Sequence, residues 1–146
     1  MQTDPENPVV KLCAAGIQAE MAGRPGEAHA AYASAWEAAT DSYERSIAAH
    51  YLARTGGTAE NRHRWNSVAL AEAQRVTEPP RVAAFLPSLH LNLGHSCEEL
   101  GRTDAAREHY RLGRAGLGAL DAGPYTAVVR GGLEAAAQRV GEAEAT

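Results

Sequence analysis

The sequence predicts an all-α fold of paired helices, and three observations carry the prediction. Alanine recurs in runs ("GEAHAAYASAWEAAT", "GGLEAAAQRVGEAEA"), and alanine is the strongest helix former and a poor strand former. Val and Ile are scattered, and no stretch alternates apolar and polar with the period of a half-buried strand. Glycine and proline then punctuate the chain at helix-length intervals.

Taken in order, Asn7 and Pro8 read as an N-cap and a first-turn proline, opening a helix to about Ala22. Gly23 ends it, and Pro25 opens a second helix to about Ala39. Asp41 with Glu44 makes a capping box for a third, which stops near Thr55 before Gly56-Gly57. Thr58 caps a fourth helix, to about Val76. "TEPPRVAAFLP" interrupts this rhythm. Thr77 is placed to cap a helix with Pro79 and Pro80 in its first turn, and Pro87 either kinks that helix or restarts it with Ser88. This fifth helix ends at Leu100-Gly101, Thr103 caps the sixth, and "DAGP" at 121–124 leads into a terminal helix from about 124 to 140. The tail "GEAEAT" reads as frayed.

The 146 residues are read as a single domain, 1–146, large enough to bury roughly 70% of the unfolded surface without metal or disulfide staples. A net charge of −4, with Lys11 the one lysine, argues against a nucleic-acid binder, which would concentrate basic residues on one face. The densest basic cluster, "ENRHRW" at 60–65, reads as a solvated helix face. The start "MQTDPENPVV" lacks a secretory pattern and no apolar run approaches a membrane span, so the expected location is cytoplasmic, with no membrane partner. Cys13 and Cys97 lie far apart outside any CxxC pair and read as small buried thiols.

The helices fall into pairs that resemble one another. Gly23, Gly56 and Gly101 each close a first helix with a left-handed stop. Nine residues later stand Tyr32, Trp65 and Tyr110, and seven residues earlier stand Gly16, Ala49 and Gly94. The small residue admits the second helix closely, and the aromatic fills the gap between the two. The glycine-to-glycine separations are 33 and 45 residues, and the longer one contains the "TEPPRVAAFLP" interruption. This small/glycine/aromatic pattern in units near 34 residues resembles the tetratricopeptide repeat. The matching units are 8–40, 41–76 and 79–120, with 124–140 as a capping helix; the third unit matches best. The second is degenerate, with Asn61 where a small alanine belongs.

The resemblance implies a right-handed superhelix whose first helices line a concave groove. Carried over by alignment, the binding candidates in that groove are Glu20, Tyr43, His50, Arg54, Asn92, His95, Glu98 and Glu99. Family members that clamp a chaperone's terminal carboxylate use basic and amide side chains at positions occupied here by Cys13, Ile17, Ile47, Ser88 and Asn92. None is positive, so that partner is not expected. Cys13 would face the groove. Trp36 and Trp65 read as core, and His29, His63 and His109 as outer-surface residues. His90 and His95 point roughly 140° apart on one helix and do not chelate together. No metal is assigned, because HExxH and paired CxxC signatures are missing, and no P-loop, dinucleotide or GxSxG motif calls for a cofactor or catalytic residue. The function expected is a non-catalytic scaffold that binds a peptide, protein or small ligand in the groove. The alternative is a small-molecule-binding or catalytic protein that uses the groove His and Glu residues. A homodimer through exposed helices is a further reading.

Overall fold

In the computed structural model, which describes residues 4–77 and 83–145, the described residues form seven α-helices and no strand. The chain divides into two compact units, Gln2–Thr77 and Glu78–Thr146.

The N-terminal unit holds α1 (Pro8–Met21), α2 (Pro25–Ala38), α3 (Ser42–Arg54) and α4 (Ala59–Gln74). Each start follows local chemistry. The Asn7 side-chain oxygen accepts from the backbone N–H of Val9 and Val10, at 2.8 and 3.3 Å, with Pro8 in the first turn. Asp41 accepts from the Glu44 N–H at 2.7 Å, while the Glu44 carboxylate reaches back to the backbone N–H and hydroxyl of Thr40. Thr58 accepts from the Asn61 N–H at 3.1 Å. Helix α1 packs on α2, α3 on α4, and α2 on α3. Gly23 takes the left-handed conformation (φ 77°) that closes α1. In the second hairpin that role falls to Gly57 (φ 83°) and not, as the alignment suggests, to Gly56. Gly56 instead serves close approach, since a Cβ there would sit 3.1 Å from the Arg62 backbone nitrogen.

The C-terminal unit holds α5 (Leu86–Glu99), α6 (Thr103–Ala115), a 3₁₀ turn at Leu117–Ala119, and α7 (Pro124–Ala145). The cap and prolines anticipated at 77–80 fall largely on 78–82, outside the described residues. Pro87 sits in the first turn of α5, so it starts a helix and kinks none. Gly101 is left-handed (φ 75°), and the Arg102 N–H returns to the Cys97 carbonyl at 2.8 Å. Thr103 does not cap α6. The N-cap is Arg102, which makes no side-chain cap bond, and Thr103 is already helical. Helix α7 continues to Ala145 instead of fraying after Val140. Alanine and glutamate propagate a helix well, and one glycine at 141 costs only about 1 kcal/mol. Helix α5 packs on α6, and α7 packs on both.

One packing device appears in both units, 78 residues apart. Tyr32 of α2 lies against Gly16 of α1, and Tyr110 of α6 lies against Gly94 of α5. A Cβ at Gly16 would lie 2.2 Å from Tyr32 Cε1, and one at Gly94 would lie 2.3 Å from Tyr110 Cε1. Both rings are fully buried, which contributes on the order of 2 kcal/mol each. The α3–α4 hairpin carries Ala49 at the corresponding place. On α4 the position that Tyr32 and Tyr110 hold on their helices falls to Asn66, which is buried, and Trp65 beside it stays half-buried.

Candidate functional site

The buried tyrosines organise the charged groups around them. In the N-terminal unit, Arg54 donates through Nε and Nη2 to the two oxygens of Glu20, at 3.1 and 3.0 Å, and the Tyr32 hydroxyl donates to the same carboxylate. Arg54 holds the Glu20 carboxyl below its usual range, against the opposing effect of partial burial. Desolvation and the carboxylate push the Tyr32 hydroxyl well above its usual pKa. Tyr51 stacks on Tyr32 at 5.3 Å, and His50 meets Tyr51 edge-on at 4.9 Å. Desolvation, with the nearby Arg54 charge, lowers the His50 pKa to about 4, so this imidazole is neutral near pH 7. Tyr43 is buried at 5% exposure, and Ser46 and Ile47 beside it are buried too. Helix α3 therefore turns most of its expected binding face inward.

The C-terminal unit builds the same lock from a different helix. Arg139 of α7 donates through Nε and Nη2 to Glu98, at 2.9 and 2.6 Å, and the Tyr110 hydroxyl donates to Glu98. Arg139 lowers the Glu98 pKa as Arg54 lowers that of Glu20. His95 is exposed and meets the Tyr110 ring edge-on at 5.8 Å. Desolvation against that surface and the Arg139 charge lower its pKa, while Glu98 and Glu99 oppose the shift. Glu99 is exposed, and Asn92 is half-buried with its carbonyl accepting from the Ser96 hydroxyl. Of the eight candidates, the fold thus brings Glu20 to Arg54 within one unit and sets Glu98 beside His95 in the other.

Three further placements depart from the sequence reading or add to it. Cys13 is 2% exposed, and burial raises its pKa to about 12, so it is an inert core thiol and not an accessible groove residue. His90 packs against His109, with Nδ1 atoms 3.2 Å apart and rings stacked at 5.4 Å. Burial, with the His109 charge, takes the His90 pKa down to about 4. The described residues contain no cluster of three or more His, Cys, Asp or Glu able to hold a metal ion. None of their helices is long and apolar enough to cross a membrane.

Trp36 and Trp65, expected in the core, are both half-buried and meet edge-to-face at 5.1 Å. They line an open cleft of about 370 Å³ between α2, the end of α3, and α4. A second open cleft, of about 600 Å³, lies between α6 and α7 among Arg107, Arg111, Glu108 and Glu134. Two of its three arginines have partners: Arg107 holds Asp104 and the Val140 carbonyl, and Arg111 holds Glu108 with two bonds. The tryptophan cleft had a signal in the sequence. The signal is the doubled glycine Gly56-Gly57, whose extra residue moves α4 by one position and leaves Trp65 beside the interhelical slot that Asn66 takes. Comparison with protein-family models, with curated proteins and with solved structures finds no match to the chain.

Proposed function

We propose that the protein is a non-catalytic interaction module made of tetratricopeptide-like helical hairpins, binding a peptide, protein or small ligand along its first helices. The observation that carries this reading is the recurrence of the Gly16–Tyr32 and Gly94–Tyr110 contacts, each closed by a glutamate held between a tyrosine hydroxyl and an arginine. Such locks rigidify a hairpin and present a preformed surface, which lowers the ordering cost of binding. They also favour the non-catalytic reading over the alternative. Glu98, which lies beside His95, and Glu20 are held ionised by their arginines, and an acid/base catalyst needs a pKa near the working pH. A soluble cytoplasmic scaffold is the setting this reading implies.

The experiment is capture of proteins and small molecules by the full-length chain, identified by mass spectrometry, against the His50→Ala/His95→Ala variant. On this reading wild type retains a defined ligand that the variant releases, with both proteins equally folded by circular dichroism. An identical retained set would remove the first-helix surfaces as the binding site. Turnover of the captured small molecule, lost in the same variant, would replace the scaffold reading with the enzymatic one.

A further inference from the structure

The tryptophan cleft in the N-terminal unit lies on α2 and α4, the second helices of their hairpins, and is separate from the surfaces considered above. Two departures from the hairpin pattern create it. The Gly56-Gly57 turn is one residue longer than the others, so the buried Asn66, and not Trp65, takes the eighth position of α4, where Tyr32 and Tyr110 stand in α2 and α6. Arg62 replaces a buried alanine: the corresponding Ala28 and Ala106 have no exposed surface, whereas Arg62 is half-buried, and Asn61 beside it is exposed and ties its amide to the Gly56 carbonyl at 3.1 Å. Trp65 is left half-out with Trp36 against its edge, which gives an apolar floor.

The charges at this floor are unspent. Arg64 lies over the Trp65 ring at 5.0 Å, which holds the guanidinium in place while leaving its N–H donors unused. Arg64 has no ion pair or hydrogen bond among the described residues, and neither does Glu37, also exposed and also in the cleft. The two indole N–H groups likewise have no acceptor there. An acid and a base that share a cleft without pairing leave both charges for an occupant. The other polar groups in the cleft are already engaged: His29 Nδ1 lies 2.9 Å from the Thr55 hydroxyl, and Asn61 is held as above. A volume of about 370 Å³ is near the lower end of ligand pockets and suits one large apolar side chain with its neighbours.

We propose that this cleft docks a peptide segment in which an apolar side chain, seated on Trp36 and Trp65, is flanked by a carboxylate that pairs with Arg64 and an ammonium or guanidinium that pairs with Glu37. Complementarity of both signs fixes the register of the segment, and the indole floor supplies the apolar contact. This site is independent of the first-helix reading, and either can fail without the other.

The test uses the protein's own fluorescence, because Trp36 and Trp65 are its two tryptophans and both line the site. The probes are two acetylated, amidated peptides, Gly-Glu-Leu-Lys-Gly and Gly-Lys-Leu-Glu-Gly, covering both chain directions, titrated into the full-length chain. One of them should change the emission saturably. Replacing its Glu or its Lys by Gln should weaken binding by about fivefold or more. Arg64→Gln should erase the distinction between the Glu and Gln peptides, and Glu37→Gln the distinction between the Lys and Gln peptides. Both side chains are exposed, so unchanged melting by circular dichroism serves as the folding control. No saturable change up to millimolar concentrations of either peptide would overturn the proposal. So would equal affinities in wild type, Arg64→Gln and Glu37→Gln, which would leave only nonspecific apolar contact.

Discussion

A single hydrogen atom in place of a methyl decides where an aromatic ring sits in the two Gly–Tyr hairpins. At Gly16 and Gly94 the added Cβ would overlap Tyr32 or Tyr110 at 2.2–2.8 Å, well inside any contact real Cβ atoms make. Gly16→Ala should therefore lower the free energy of unfolding by about 2 kcal/mol, the usual scale of overpacking, read as a lower urea midpoint. Gly26→Ala is the matched control. Nothing lies within 4 Å of its added methyl, so it should be neutral or stabilising by up to about 1 kcal/mol. Equal effects of the two substitutions would refute the packing account. These glycines were legible in the sequence, because their positions seven residues before a left-handed stop, with a tyrosine nine residues after it, follow helical geometry alone. The position of Trp65 was legible only in part. Counting from Gly56 marked it for the interhelical slot, but the turn closes at Gly57, and the one-residue shift brings Asn66 there instead.

Among elements, the arginine locks join helices that are distant in sequence. Arg54 reaches from the end of α3 to Glu20 on α1, 34 residues away, and Arg139 reaches from α7 to Glu98 on α5, 41 residues away. Both pairs are partly exposed, with arginine side chains 52% and 50% accessible, so solvent screening limits their worth. A double-mutant cycle with Glu98→Gln and Arg139→Gln should give a coupling of about 0.5–1 kcal/mol, lower in 1 M salt. A coupling near zero at low salt would mean that α7 is held by apolar packing alone, through Leu133 and Val140. Glu20, Arg54 and Glu98 stood out in the sequence as groove candidates, and two of them share a helix face with a histidine, Arg54 with His50 and Glu98 with His95. The pairing of Arg54 with Glu20 and of Arg139 with Glu98 was not legible, because it depends on how closely helices of different hairpins approach, which helical periodicity does not set.

For the molecule as a whole, burying neutral histidines makes stability depend on pH. The His50 and His90 pKa values fall from an ordinary 6.5 to about 4. The unfolded chain therefore binds more protons than the folded one between these values, and stability decreases as pH drops through that window. Glu20 and Glu98 add in the same direction: their carboxyls are depressed in the fold, so their contribution is present above about 4.5 and is lost as pH falls further. His90, at 8% exposure, accounts for on the order of 3 kcal/mol over its full window. The urea midpoint should fall between pH 7 and pH 5 and fall more steeply by pH 4. His90→Gln should flatten the upper part of that curve. A midpoint constant from pH 7 to pH 5 would contradict the neutral burial of these imidazoles.

What the sequence determined by itself is what short-range physics determines. Six of the seven helices among the described residues begin at a side-chain cap or a first-turn proline, each first helix ends at a glycine turn, and the close-packed Gly–Tyr pairs follow because cap bonds, left-handed stops and helical periodicity act within a dozen residues or so. The tertiary structure decided which charges pair between helices, which histidine meets which, and that two tryptophans stand at a surface cleft beside an arginine and a glutamate that pair with nothing among the described residues. Those outcomes depend on helices brought together across long sequence separations, where interhelical distance and a one-residue shift settle what is buried and what is left to bind.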